Sequence, residues 1–359
     1  MPADDTAAGA RSAPRTGPSR WRPRLGRILA GVFFVAVAAF SVHFARSVDW
    51  AAVREALQAY PLRTLAGAAG LAALSHLLYS SFDLVGRLQT GHRLPVWRTC
   101  AITFVSYAFN LNLGSLVGGF ATRYRLYTRA GLTADTVTRI LALSLLTNWL
   151  GYALLGGMVL AARPPTLSAS WSIDTAVLRW IGVALVAASL AYVAACVLWR
   201  DRRFTLRGRS FELPSVRVAF WQIAVSSVNW ALIASVIYVL LGRQVPYPTV
   251  LSVLLVAAVA GVVTHVPAGL GVLEAVFIAA LSGTLAQAEI IAALLAYRAV
   301  YYLLPLLLAA VLYVLLELSG RAPVGRALQE PQDFMPFANP GPRRTKPRAA
   351  RANQSVHVK

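Results

Sequence analysis

Charge is scarce in this chain: of 359 residues only 13% are charged, while 57% are hydrophobic and mean hydropathy is +0.60. A soluble domain carries about twice that charge fraction, so a water-soluble globular fold is excluded on composition. Cysteine is nearly absent. Cys100 and Cys196 stand far apart in apolar stretches without metal-ligand spacing, which rules out a disulfide framework and a thiolate metal centre. Lysine is reduced to Lys346 and Lys359, so almost all of the 34 basic residues are arginine, against 14 acidic ones. No Walker loop, Ser-His-Asp arrangement, HExxH or dinucleotide fingerprint is present, so neither an ATP-driven pump nor a hydrolase is signalled. No cofactor is expected.

What remains is apolar sequence in long runs. Eight segments stand out, at about 25–45, 64–88, 95–119, 137–162, 175–199, 215–241, 247–283 and 288–318, and they predict an all-α polytopic membrane protein. Residues 1–24 and 320–359 read as disordered basic tails on either side of a transmembrane domain over 25–318. The first apolar run follows six arginines and reads as a retained signal anchor. Between it and Pro61, "WAAVREALQ" (50–58) predicts a short amphipathic helix at the interface.

The net charge of +20 sits in the tails and short loops, the pattern of topology signals and lipid contact rather than of nucleic-acid binding. Eight full crossings would put the basic stretches 123–139 and 200–209 outside, against the positive-inside rule. Six full spans plus two re-entrant hairpins, at 100–119 and 249–283, place both termini and every arginine-rich loop in the cytoplasm. That order reads as an inverted repeat, although its only internal echo, "SLLTNW" (144–149) and "SSVNW" (226–230), falls in spans that would not superpose. Irregular backbone at membrane depth is tolerated inside protein or beside a wet cavity, so the hairpins are expected to line the site.

The second hairpin contains "THVPAGLGVLEA" (264–275). Pro267 breaks the helix, while Gly269 and Gly271 allow close backbone approach or positive φ. A returning helix from about Leu270 would aim free N–H groups at an anion, with Glu274 in its first turn. His265 reads as a buried imidazole, or with Asp83 as part of a polar relay. In "AYRAVYYLLP" (296–305) Arg298, Tyr301 and Tyr302 share a helical face, and Pro305 frees the Tyr301 carbonyl. Arg298 falls near mid-bilayer and needs an acidic partner or a lipid phosphate; Glu274 is the obvious protein partner.

The first hairpin, broken at Gly118 and Gly119, runs into "TRYRLYTRAGL". There Arg123 and Tyr127 share one face and Arg125 and Arg129 another, either as a solvated basic loop or as a phosphate grip. His76, Tyr79, Asp83 and Arg87 form one stripe, with Asp83 expected to pair with Arg87. Asn110, Asn112, Asn148 and Asn229 read as helix-to-helix hydrogen-bonding groups.

The stretches "GGFATRYRLYTRAGL", "THVPAGLGVLEA" and "AYRAVYYLLPLLLA" resemble the lysylphosphatidylglycerol synthase transmembrane-region family, the flippase half of multiple-peptide-resistance factors. The resemblance implies a bacterial inner-membrane domain that moves aminoacylated phosphatidylglycerol between leaflets, and gives weight to Arg123, Arg125, Glu274 and Arg298. Ala268 departs from the motif, and the aminoacyl-transferase domain is missing, so a full synthase is not expected. The resulting expectation is a lipid translocase for an anionic or aminoacylated phospholipid. An ion-coupled transporter of a small anionic solute and a non-transporting subunit of an envelope lipid complex are the alternatives. Phospholipid is the expected partner, with room for a separate lipid-modifying enzyme and for a homo-oligomer.

Overall fold

A computed structural model describes residues 50–58, 60–162, 174–199, 203–206, 209–264, 269 and 271–319. The expected first span 25–45, both tails and the tip residues His265, Pro267 and Ala268 lie outside them. The described chain is helical, apart from a two-stranded antiparallel hairpin, β1 (Arg203–Leu206) and β2 (Arg209–Glu212), in the basic 200–209 stretch.

Six described helices are long and apolar enough to cross a membrane. Five coincide with expected spans. They are the bent pair α2 (Leu62–Ser80) and α3 (Asp83–Thr90), then α6 (Ala134–Ala162), α7 (Thr175–Leu198), α8 (Val216–Leu240), and a last span. That span joins α11 (Gln287–Tyr297), a π-helical segment (Arg298–Leu303) and α12 (Leu304–Ser319). The amphipathic segment forms α1 (Trp50–Gln58) and packs on α11.

The sixth helix, α9 (Tyr247–Thr264), is the outgoing arm of the expected second hairpin. Its 18 residues extend about 27 Å, a crossing length, whereas the ten of α10 (Val272–Leu281), packed back on it, extend only about 15 Å. The two arms are therefore unequal.

The first hairpin is longer than 100–119. Its outgoing arm is α4 (Val96–Leu113), and the chain reverses at Gly114, whose φ of 81° and ψ of 168° suit only glycine. A π-helical turn (Ser115–Ala121) and α5 (Thr122–Arg129) return along α4. The arms approach so closely that a Cβ on Gly118 would lie 2.1 Å from the Phe109 carbonyl oxygen. The basic stretch read as a loop is thus the end of a packed arm.

Three small-residue contacts set the rest. Gly86 of α3 lies against Ile140 of α6, Gly151 of α6 against Ser226 of α8, and Gly157 of α6 against Gly182 of α7. The two Asn-Trp spans meet here: Ser226 Oγ donates to the Asn148 carbonyl at 2.9 Å, and Trp230 Nε1 reaches it at 3.4 Å. Helix α7 is the most peripheral of the described spans, with Trp180, Leu190 and Leu198 exposed on its outer side. Between α2 and α3, Ser80 and Ser81 each donate at 2.6 Å to carbonyls within their own helix, those of His76 and Leu78. Such back-bonding competes with the backbone ladder and bends helices. The bend precedes Asp83, which is fully buried.

Gly118→Ala is expected to lower stability by about 1–3 kcal/mol, the range for overpacking a filled site. Gly67→Ala, with nothing within 4 Å of the added Cβ, should be neutral or stabilising. Thermal unfolding in detergent, followed by tryptophan fluorescence, checks both.

Candidate functional site

Gly269 and Gly271 have φ of 58° and 79° and open space where a Cβ would stand, so positive φ rather than close approach is what they supply. Helix α10 begins at Val272, not Leu270. Glu274 accepts the Gly271 N–H at 2.9 Å, so the N–H expected to await an outside anion is taken by the protein's own carboxylate. Glu274 also receives Arg298 bidentately, Nε at 2.6 Å and Nη2 at 3.1 Å, and Nη2 donates to the Gly269 carbonyl at 3.2 Å. The side chains are 20% and 10% exposed, so the pair sits at the edge of the packed interior.

Arg298 opens the π-helical segment. Pro305 has no N–H for the Tyr301 carbonyl, and the preceding turn widens to i→i+5 bonding. The widening separates the tyrosines expected on one face. Tyr302 stays under Arg298, whose guanidinium carbon is 5.6 Å from its ring centre, while Tyr301 turns into the core at 1% exposure. The Tyr302 carbonyl accepts from Asn112 Nδ2 at 3.3 Å, and Asn112 belongs to the last turn of α4. The tips of both hairpins therefore meet on this one segment.

At the far end of the first hairpin, Asp83 does not pair with Arg87. Tyr127 Oη donates to Asp83 Oδ2 at 2.8 Å, and Arg123 Nε lies 3.3 Å from the same oxygen. Arg87 turns away because its Nε donates to the Leu94 carbonyl at 2.9 Å, closing the loop before α4. Arg123 and Tyr127 act from one face of α5, as their spacing predicts. On the other face Arg125 Nε meets Glu317 Oε1 at 2.6 Å, and Arg129 also pairs with Glu317. Glu317 was not anticipated; a carboxylate just inside the end of an apolar span was its signal.

A column of aromatic rings links the buried Asp83–Arg123 pair to the partly exposed Glu274–Arg298 pair. The Arg123 guanidinium lies 5.9 Å over Tyr79, Tyr79 stacks on Tyr107 at 3.6 Å, and Tyr107 and Tyr301 share a 3.0 Å hydrogen bond. Tyr301 and Tyr302 are adjacent at 5.9 Å, and Tyr302 leads to Arg298. Ser75 Oγ joins Tyr301 Oη to Asn229 Oδ1 at 2.8 Å each, and His76 lies 4.6 Å from the Tyr301 ring. Tyr107 went unnoticed in the sequence because nothing marks it among the aromatics of α4 until Tyr301 is placed beside it. Polar atoms remain without hydrogen-bond partners here: His76 Nε2, Asn229 Nδ2, Asn112 Oδ1, Asp83 Oδ1, and Arg123 Nε and Nη2. The chemistry is ionic and hydroxylic: grip of an anion, and hydrogen bonds along a buried path.

Asp83→Asn leaves Arg123 uncompensated and should cost about 3–5 kcal/mol of stability. Asp83→Asn with Arg123→Gln should recover most of the loss, a non-additivity that a thermal-unfolding double-mutant cycle measures.

Residues 27–309 match the family described as the lysylphosphatidylglycerol synthase TM region. The chain is 45% identical over 303 residues to the inner membrane protein YbhN of Escherichia coli (strain K12), covering 84% of this chain and 95% of that protein. It is 29% identical over 262 residues to an uncharacterized protein of Synechocystis, covering 72% of this chain and 80% of the relative. A phosphatidylglycerol lysyltransferase of Staphylococcus haemolyticus matches at 26% identity over 79% of this chain, but over only 33% of its own larger length. The chain is a polytopic membrane protein belonging to the lysylphosphatidylglycerol synthase transmembrane-region family.

Proposed function

We propose that this protein moves an anionic or aminoacylated phospholipid between the leaflets of the bacterial inner membrane. The observation that carries this reading is the polar column, which runs from Asp83–Arg123 to Glu274–Arg298 through Tyr79, Tyr107, Tyr301 and Tyr302. The names of the relatives, an inner membrane protein and a phosphatidylglycerol lysyltransferase, are consistent with membrane location and with such a lipid.

In this scheme both hairpins are re-entrant, the first from the cytoplasm and the second from outside, and both termini are cytoplasmic. Inverted-repeat transporters bring discontinuous helices together near mid-membrane in this way. A head group entering beside α5 meets Arg123 and Arg125, which grip phosphate oxygens. The tyrosine hydroxyls then offer hydrogen bonds in place of water while the acyl chains stay in lipid. At the far end the phosphate exchanges with Glu274 for Arg298, opening a pair that keeps the site neutral when empty. The chain works with no cofactor; a separate lipid-modifying enzyme would supply any aminoacylated substrate.

Reconstitution into liposomes with a leaflet-specific lipid assay tests the proposal. Wild-type protein should move lipid, and Arg298→Ala and Glu274→Gln should each slow it at least about tenfold, the loss expected on leaving one buried charge unpaired. Lipid movement unchanged in both variants discards the mechanism. Solute-driven ion flux without lipid movement replaces it with solute transport. In a background lacking Cys100 and Cys196, Arg129→Cys and Arg203→Cys should both be labelled from the cytoplasmic side; labelling from opposite sides removes the re-entrant topology.

A further inference from the structure

Asp83 and Glu274 each meet one arginine, whereas Glu317 of α12 meets two, Arg125 and Arg129 from adjacent turns of α5. Arg98, in the first turn of α4, comes to the same place. With Arg129, Ile102, Leu126 and Leu316 it lines a groove of about 200 Å³. Arg98 is half-buried, and its side chain makes no ion pair or hydrogen bond with any described residue. The positive end of the helix dipole lies in that first turn, so helix stability does not account for a cation there. Three guanidinium groups therefore share one carboxylate, a local excess of two positive charges over an apolar floor.

The surroundings of the groove belong to a membrane. Trp97, next to Arg98, is 64% exposed, and exposed tryptophan sits at the level of lipid head groups. On the opposite wall α12 turns Val311, Val314 and Leu315 outward, an apolar stripe at helical spacing that leads away from Glu317. A cationic rim at head-group depth beside an apolar, outward-facing wall suits a phospholipid better than a soluble anion, which has no use for the wall. The chain that continues from α12, residues 320–359, is itself strongly basic and is not the charge complement of the groove.

We propose that this groove binds, without transporting it, a phospholipid whose head group is a phosphate monoester, phosphatidate being the simplest. A phosphate monoester carries about −1.5 to −2 charges at pH 7 and three strong acceptor oxygens. That charge matches the excess of two, with oxygens for both Arg98 and Arg129 while Glu317 stays between Arg125 and Arg129. A phosphodiester brings one charge and leaves one arginine unmatched. The groove is separate from the tyrosine column, and its ligand does not depend on whether the column moves lipid.

The test incubates the full-length, detergent-purified protein with equal amounts of dioleoyl phosphatidate and dioleoyl phosphatidylglycerol and reads retained lipid by native mass spectrometry. Wild-type protein should retain phosphatidate at least about fivefold better, the worth of one further charge met by arginine at a membrane surface. Arg98→Gln breaks no described contact, so the variant should fold normally, and it should lower phosphatidate retention about tenfold, the loss of one charge-assisted hydrogen bond. Arg98→Lys should keep part of the preference. Equal retention of the two lipids by wild-type protein, or a preference that survives Arg98→Gln, overturns the proposal. Displacement of phosphatidate by an equal concentration of inorganic phosphate overturns the assignment to lipid. Lipid movement in liposomes should be unchanged by Arg98→Gln; movement lost together with retention puts the groove on a transport path and overturns a non-transported ligand. Retention is read without reference to movement, so a protein that moves no lipid still decides the matter.

Discussion

An arginine inside a membrane protein must find a negative partner, and this constraint organises the fold. Arg123 lies inside the bundle and Arg298 at the edge of its interior, and each meets a carboxylate from another element: Asp83 from the bent second half of a span, Glu274 from the returning arm of a hairpin. Each pair ties a hairpin to a span. Breaking either would strand a charge, which fixes where the hairpins lie more firmly than apolar contact with lipid-like surfaces could.

The backbone obeys a parallel rule. Every N–H and C=O at membrane depth needs a partner, so departures from helix must be repaired locally. At the second hairpin Glu274 takes the Gly271 N–H. At the π-helical segment Asn112 donates to the Tyr302 carbonyl. The repairs are made by the residues that also form the site, so the irregular backbone and the polar chemistry are one construction. The same economy leaves Arg123 incompletely bonded, its Nε and Nη2 without hydrogen-bond partners.

Much of this was readable from residue type and spacing. Glu274 and Arg298 are ionisable residues in apolar runs, and their pairing follows from the scarcity of alternatives. The two faces of "TRYRLYTR" were legible because helical spacing puts Arg123 with Tyr127 and Arg125 with Arg129. Asp83 was assigned to Arg87 since local spacing favours a neighbour one turn on. A partner forty residues away in the chain leaves no local trace, and neither does the Leu94 carbonyl, which occupies Arg87. Tyr107 and Glu317 were missed for the same reason: their significance lies in residues nearly two hundred positions distant.

The sequence by itself determined that the chain lives in a membrane, where most of its helices run, and which residues are too polar to be there without purpose. Composition and apolar run length carry that information because transfer into lipid depends on residue type almost independently of neighbours. Only the tertiary structure decided which carboxylate each arginine meets, that the last span widens to a π-helix between the hairpin tips, and that four tyrosines line up between two ion pairs. Those features depend on the return of distant segments to within a few ångströms, where charge and hydrogen bonding act.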